Sequence, residues 1–66
     1  MHRHDRLTRL LELLAARGHV EVDELSVDLG VSEATIRRDL DHLAHQQLLT
    51  RTRGGAVVHN VAYDLP

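Results

Sequence analysis

The chain has 66 residues, 42% of them hydrophobic, with eight basic and ten acidic side chains and a formal net charge of −2. A chain this short makes one small domain with a compact core, because it buries only about 60% of its unfolded surface. The lack of cysteine excludes disulfides, thiolate zinc sites and thiol redox chemistry, and the lack of a membrane-length apolar run or signal-peptide pattern predicts a cytoplasmic protein.

Residues 1–4 read as a frayed terminus. Asp5 reads as the cap of a first helix, whose apolar positions Leu7, Leu10, Leu11 and Leu14 fall at i, i+3, i+4 and i+7. Arg17 complements the dipole at the end of this helix and Gly18 stops it. Arg3, Arg6 and Arg9 fall on or near its polar side and read as a solvated face, with phosphate contact as the alternative. Residues 19–22 alternate and hold two β-branched side chains, the pattern of a short strand. Asp23 reads as the cap of a second helix reaching about Leu29, apolar at Leu25 and Leu29 and acidic on its outer side.

A third helix is predicted over residues 33–46. Gly30 ends the preceding segment, since glycine enters the left-handed conformation of a helix C′ position without steric penalty. Ser32 caps the new helix, and Glu33 places negative charge at the positive end of its dipole. Ile36, Leu40 and Leu43 form one buried stripe. At about 100° per residue, Ala34, Arg38 and Asp41 point away from that stripe, with Thr35 and Arg37 on its flanks. A small residue, a hydroxyl and two adjacent guanidiniums on the free face of a helix suit a DNA major groove. Local ion pairs with Glu33 and Asp41 are the alternative use of Arg37 and Arg38. Asp39 lies beside the buried stripe and reads as half of a structural ion pair with a helix arginine.

Residues 48–52 form a second strand, 53–55 a turn and 56–59 a return strand. Two glycines between short β segments mark a hairpin tip. The order helix, strand, helix, turn, helix, hairpin is that of a winged helix-turn-helix, a mainly α fold of three helices with a small β-hairpin. Residues 1–59 make this domain. Residues 60–66 lack periodicity and read as the start of a linker.

The net charge of −2 argues against nucleic acid as a total, but its distribution does not. All eight basic residues are arginine, and Arg37, Arg38, Arg51 and Arg53 lie in the second half. Five acids and no arginine lie between Glu21 and Glu33. The local field therefore matters more than the sum.

Residues 22–25, 29–40 (Leu-Gly-Val-Ser-Glu-Ala-Thr-Ile-Arg-Arg-Asp-Leu) and 51–56 (Arg-Thr-Arg-Gly-Gly-Ala) closely resemble the N-terminal domain of DeoR-family bacterial repressors. The resemblance covers roughly residues 5–58, and its most specific parts are Thr-Ile-Arg-Arg-Asp-Leu and the Gly-Gly-Ala wing. It implies sequence-specific binding to double-stranded operator DNA and repression of sugar or nucleoside catabolic genes. The recognition helix is then residues 32–46, with Ser32, Ala34, Thr35, Arg37 and Arg38 at the DNA. Arg51, Arg53 and the backbone of Gly54 and Gly55 form the wing, on the DNA backbone or minor groove. The family also implies a larger C-terminal domain that binds a phosphorylated sugar effector and controls homo-oligomerisation, and nothing in this sequence matches that domain. Two residues depart from the family pattern. Gln47 stands where glycine is usual, at a cost on the order of 1 kcal/mol if it adopts a left-handed conformation. Arg53 stands where the wing usually has histidine, which keeps a phosphate-binding group and makes its charge independent of pH.

Two rival readings remain. GntR-like regulators share a similar helix, but their wing usually carries Gly-x-Gly-Thr. A winged-helix protein-interaction module would suit the acidic second helix. No cofactor is expected and no membrane partner. His42 and His45 are spaced i, i+3, and His2-x-His4 adds two imidazoles, but no cysteine or spaced carboxylate completes a ligand set, so no metal site is expected. No nucleophile, base and orienting group fall together, so no catalysis is expected. Six histidines, each titrating near pH 6.5 when unperturbed, predict tighter nonspecific DNA binding on acidification.

Overall fold

Leucines and branched side chains from all three helices meet in one core, and the reach of each to that core sets the arrangement of the elements. The computed structural model describes residues 2–58. Its elements are α1 (Arg3–Arg17), β1 (His19–Glu21), α2 (Val22–Leu29), α3 (Glu33–His45), β2 (Leu49–Arg51) and β3 (Gly55–Val58). Three helices and a small antiparallel sheet form the expected winged helix-turn-helix. His59, expected to end the return strand, and the expected linker at residues 60–66 lie outside the described residues.

The core comprises Leu10, Leu13 and Leu14 of α1, Val20 of β1, Val22 and Leu25 of α2, Ile36, Leu40 and Leu43 of α3, and Leu49 and Ala56 of the hairpin. On α1 the buried set is centred one position further round than the expected stripe. Leu13 is buried, while Leu7 and Leu11 pack partly buried against the margin. The α3 stripe at Ile36, Leu40 and Leu43 is buried as expected.

Two expected caps are absent. The N-cap of α1 is His2, without a side-chain hydrogen bond, and Asp5 lies within the first turn. Nothing in Arg3 or His4 opposes helix, and Asp5 complements the dipole from inside the turn as it would from the cap. The N-cap of α2 is Glu21 rather than Asp23, also without a side-chain bond. Here the hairpin does the capping: the Val22 N–H donates to the Gly54 carbonyl at 2.8 Å, and Val22 is buried. Asp23 instead accepts from the Glu24 N–H within the first turn, at 2.8 Å.

The turn into α3 forms as its sequence dictates. Gly30 has φ 69°, and the Ser32 hydroxyl oxygen accepts from the Thr35 N–H at 3.1 Å. The far end of α3 closes as a Schellman motif: the Leu48 N–H donates to Leu43 at 3.0 Å and the Gln47 N–H to Ala44 at 2.9 Å. Gln47 therefore occupies the left-handed position, at φ 62°, and α3 ends at His45, one residue earlier than expected.

The strand order is β1-β3-β2, so β1 joins the hairpin as a third strand, a pairing the sequence pattern does not specify. Val20 pairs with Ala56 and Glu21 with Gly55 on one side of β3, and Thr50 pairs with Val57 on the other. Gly55 is a strand residue rather than part of the turn. A Cβ on Gly55 would lie 1.8 Å from the Val20 carbonyl oxygen, whereas one on Gly54 would meet only the end of the Glu21 side chain at 3.3 Å. Close backbone approach explains the second glycine. The tip is left to Arg53 and Gly54, since the Thr52 N–H donates to the Gly55 carbonyl at 3.0 Å.

Two stability measurements check this account. Gly55→Ala is expected to lose about 3 kcal/mol by urea denaturation, because backbone has to move, and Gly54→Ala well under half as much. Gln47→Gly is expected to gain about 0.5–1 kcal/mol by relieving the left-handed residue, net of the added freedom of the unfolded chain. A loss on Gln47→Gly would contradict the strain.

Candidate nucleic-acid interface

The helical repeat and the buried stripe of α3 decide which of its side chains reach solvent. Ser32, Ala34, Arg37 and Arg38 are exposed and Thr35 is half-buried. The hydroxyls of Ser32 and Thr35 lie 3.0 Å apart at the cap. Ser32 caps α3, Ala34 and Arg38 face away from its buried stripe, and Thr35 and Arg37 lie on opposite flanks.

Three acids lie on α3, and each has an arginine partner. Glu33 accepts from Arg37 at 3.1 Å along the helix. Asp39, 3% exposed, pairs with Arg6 of α1, whose Nε and Nη2 meet the two carboxylate oxygens. The hydrogen bond that Arg6 donates to Asp39 is the chief cause holding the Arg6 guanidinium pKa above its ordinary value. Arg6 is therefore a half-buried partner and not the solvated side chain its sequence position suggests. Asp39 is the structural half-pair expected, and no spacing rule could have named a partner 33 residues away. Asp41 pairs with Arg51 of the hairpin rather than with Arg37 or Arg38.

Arg51 is held on three sides. Besides Asp41, its guanidinium donates to the Gly55 carbonyl at 2.9 Å and to the Arg37 carbonyl at 3.3 Å. These bonds tie the wing to α3 and leave Arg51 only 24% exposed. Arg53 and Gly54 are exposed at the hairpin tip, while Gly55 is buried with its carbonyl committed to Thr52 and Arg51.

On the other flank of α3, Arg3 and Arg6 of α1 line a cleft with Thr35, Arg38 and Asp39. Sequence reasoning placed Arg3 on a solvated polar side and gave no signal for this juxtaposition. Among the described residues, the side chains of Arg3, Arg38 and Arg53 make no hydrogen bond or ion pair. His42 lies one turn beyond Arg38, with its ring Nε2 3.3 Å from the Gln46 side-chain nitrogen. No helix among the described residues is long and apolar enough to cross a membrane.

A capped helix with a small, hydroxylic and basic free face, braced by a second helix and flanked by a β wing, defines a winged helix-turn-helix DNA-binding domain. Residues 6–61 match the DeoR-like helix-turn-helix domain, and the chain belongs to that family. It is 50% identical over 54 residues to the HTH-type transcriptional repressor CsqR of Escherichia coli K12, covering 82% of this chain and 20% of that protein. It is 43% identical over 56 residues to the lactose phosphotransferase system repressor of Staphylococcus epidermidis, covering 85% and 22%. Identity to the glycerol-3-phosphate regulon repressor of E. coli K12 is 40% over 57 residues, covering 86% and 23%. The chain thus spans about a fifth of the length of these relatives. They are transcriptional repressors, and the domain they share with this chain is a DNA-binding module rather than an enzyme. No solved structure matches the chain significantly.

The Arg6–Asp39 pair gives this site its test of assembly. Asp39→Asn leaves a guanidinium only 13% exposed facing an amide, and is expected to lose about 2 kcal/mol in chemical denaturation, somewhat less than a fully buried charge would lose. Binding to duplex DNA should weaken with it. Full stability in that variant would show that α1 does not hold α3 through this pair.

Proposed function

We propose that this chain binds operator DNA sequence-specifically, as the DNA-binding part of a bacterial repressor of sugar or nucleoside catabolism genes. In this reading α3 enters the major groove with Ser32, Ala34, Thr35, Arg37 and Arg38 at the bases and adjoining phosphates. The wing lies on the backbone or minor groove through Arg53 and Gly54. Arg51 and Gly55 belong to the wing differently from the others, as the residues that hold it against α3, because their polar groups are already engaged inside the domain. The observation that carries the reading is the pairing of every acid on α3 while Arg38 on its exposed face and Arg53 at the hairpin tip have no partner among the described residues. A free guanidinium is able to take guanine in the bidentate manner or grip a phosphate.

The names of the relatives, with their lactose phosphotransferase system and glycerol-3-phosphate regulon, support a regulatory target in carbohydrate metabolism. The full-length protein then acts in the cytoplasm as a homo-oligomer on paired half-sites. A phosphorylated sugar reaches the DNA-binding part through a C-terminal domain beyond this sequence.

Fluorescence anisotropy with a duplex selected from random DNA, and with an unrelated duplex, tests the assignment. Arg38→Ala is expected to lose about 1–3 kcal/mol on the selected duplex and less on the unrelated one. Equal losses would make Arg38 a phosphate contact. Arg53→Ala is expected to weaken both duplexes alike and to flatten the salt dependence by about one unit of slope. No binding by the parent domain at about 50 mM salt, where phosphate contacts are strong, would turn the assignment to a protein-interaction module using the acidic face of α2, where Val27 is exposed.

A further inference from the structure

The cleft between α1 and α3 brings Thr35 and Arg38, already assigned to the DNA, together with Arg3 and Arg6 of α1, which are not. Its lining consists of Arg3, Arg6, Thr35, Arg38 and Asp39. Arg6 and Asp39 neutralise each other within it. That leaves Arg3 and Arg38, from two different helices, lining one cavity with Thr35. Neither has an acidic partner among the described residues, and Asp5, the acid nearest Arg3 in sequence, does not line the cleft. Like charges converging on one cavity repel, and an anion between them turns that repulsion into attraction.

We propose that this cleft is a phosphate-binding site that takes a backbone phosphodiester of duplex DNA, on the flank of α3 opposite the wing. The inference rests on the DNA-binding reading and extends it by a second grip. The geometry of α3 supplies the argument. At about 100° per residue, Thr35 and Asp39 project to one side of the Ile36–Leu40 stripe and Arg37 and Asp41 to the other. The second side is tied to the hairpin through Arg51, and the first faces α1 through Arg6. A helix lying in the major groove, roughly 12 Å wide, has a sugar–phosphate strand on each side of it. Contacts to one strand let the helix roll in the groove, and contacts to both fix its register and orientation. The wing reaches one strand through Arg53. Arg3, Arg38 and the Thr35 hydroxyl reach the other, and the neutral Arg6–Asp39 pair forms a floor that adds no repulsion. Arg3 thereby becomes a DNA-contact residue, and Arg38 contributes to phosphate binding as well as to the base face.

The test uses the intact chain, with Arg3→Ala and Arg3→Lys, in anisotropy titrations of selected and unrelated duplexes between about 50 and 200 mM salt. Arg3 is exposed and its side chain has no partner among the described residues, so melting curves of both variants should match the parent. Arg3→Ala is expected to weaken binding to both duplexes by the same factor and to reduce the salt slope by about 0.9, the value for one phosphate. Arg3→Lys should restore most of the slope. Combined with Arg53→Ala, the two reductions should add, since the residues grip different phosphates. A parent that binds DNA while Arg3→Ala keeps its slope and affinity overturns the second grip and leaves the DNA reading intact. A parent that binds no DNA overturns both.

Discussion

Asp39 sits on α3 next to Leu40, with its carboxylate drawn into the same interior as the apolar stripe. Taking a carboxylate out of water costs several kcal/mol unless its oxygens are satisfied. Arg6 satisfies both with a planar fork whose geometry matches the carboxylate. The consequence is directional. Apolar packing is non-directional, so Ile36, Leu40 and Leu43 alone leave the rotation of α3 loosely set. The fork adds a direction, and it does so between α1 and α3, which the chain order does not bring together. A slip of one residue turns a helix by about 100° and would carry Arg38 towards the core. The exposure of Ala34, Arg37 and Arg38 therefore depends on a pair that lies beneath them.

The wing is positioned by a second set of contacts of the same kind. Arg51 binds a side chain and a carbonyl on α3 and a carbonyl on its own hairpin, so hairpin and recognition helix move as one piece. From the other edge, β1 approaches so closely that only glycine fits at position 55. The Gly54 carbonyl then serves as the acceptor for the first N–H of α2. One dipeptide thus fixes three things: the tip of the wing, the spacing of β1 from β3, and the start of the helix that braces α3. A motif that reads as a flexible turn is in its second half a packing constraint.

The periodic parts of this fold were legible in the sequence because helical period and capping chemistry are local. Ser32, Gly30 and the α3 stripe lie where residue type and spacing put them. The structural role of Asp39 was legible too, since a charge beside a buried stripe needs a partner. Its identity was not, because Arg6 comes close only through tertiary packing. The cap at Asp23 failed for a related reason. A local hydrogen bond is worth about 1 kcal/mol, and burial of Val22 together with the Gly54 carbonyl outweighs it. The exposure of Ala34, Arg37 and Arg38 followed from the helical period. The division of the wing residues, with Arg51 and Gly55 turned inward and Arg53 outward, rests on strand register and on a backbone approach that carries no local pattern.

The net charge of −2 loses its force once the pairs are assigned. Arg6, Arg9, Arg17, Arg37 and Arg51 each face a carboxylate, and Arg3, Arg38 and Arg53 face none among the described residues. The acids of α2 gather with His19 and Arg17 around a groove at the C-terminal end of α1, whereas Arg3 begins that helix. At 1.5 Å per residue, fourteen steps along α1 separate Arg3 from Arg17 by roughly 21 Å. The screening length at 0.1 M salt is about 10 Å. A phosphate at the α1–α3 cleft therefore responds to the two unpaired guanidiniums beside it, with the acidic end of the domain largely screened. A domain that is acidic in total can in this way keep its unpaired guanidiniums apart from its acidic end.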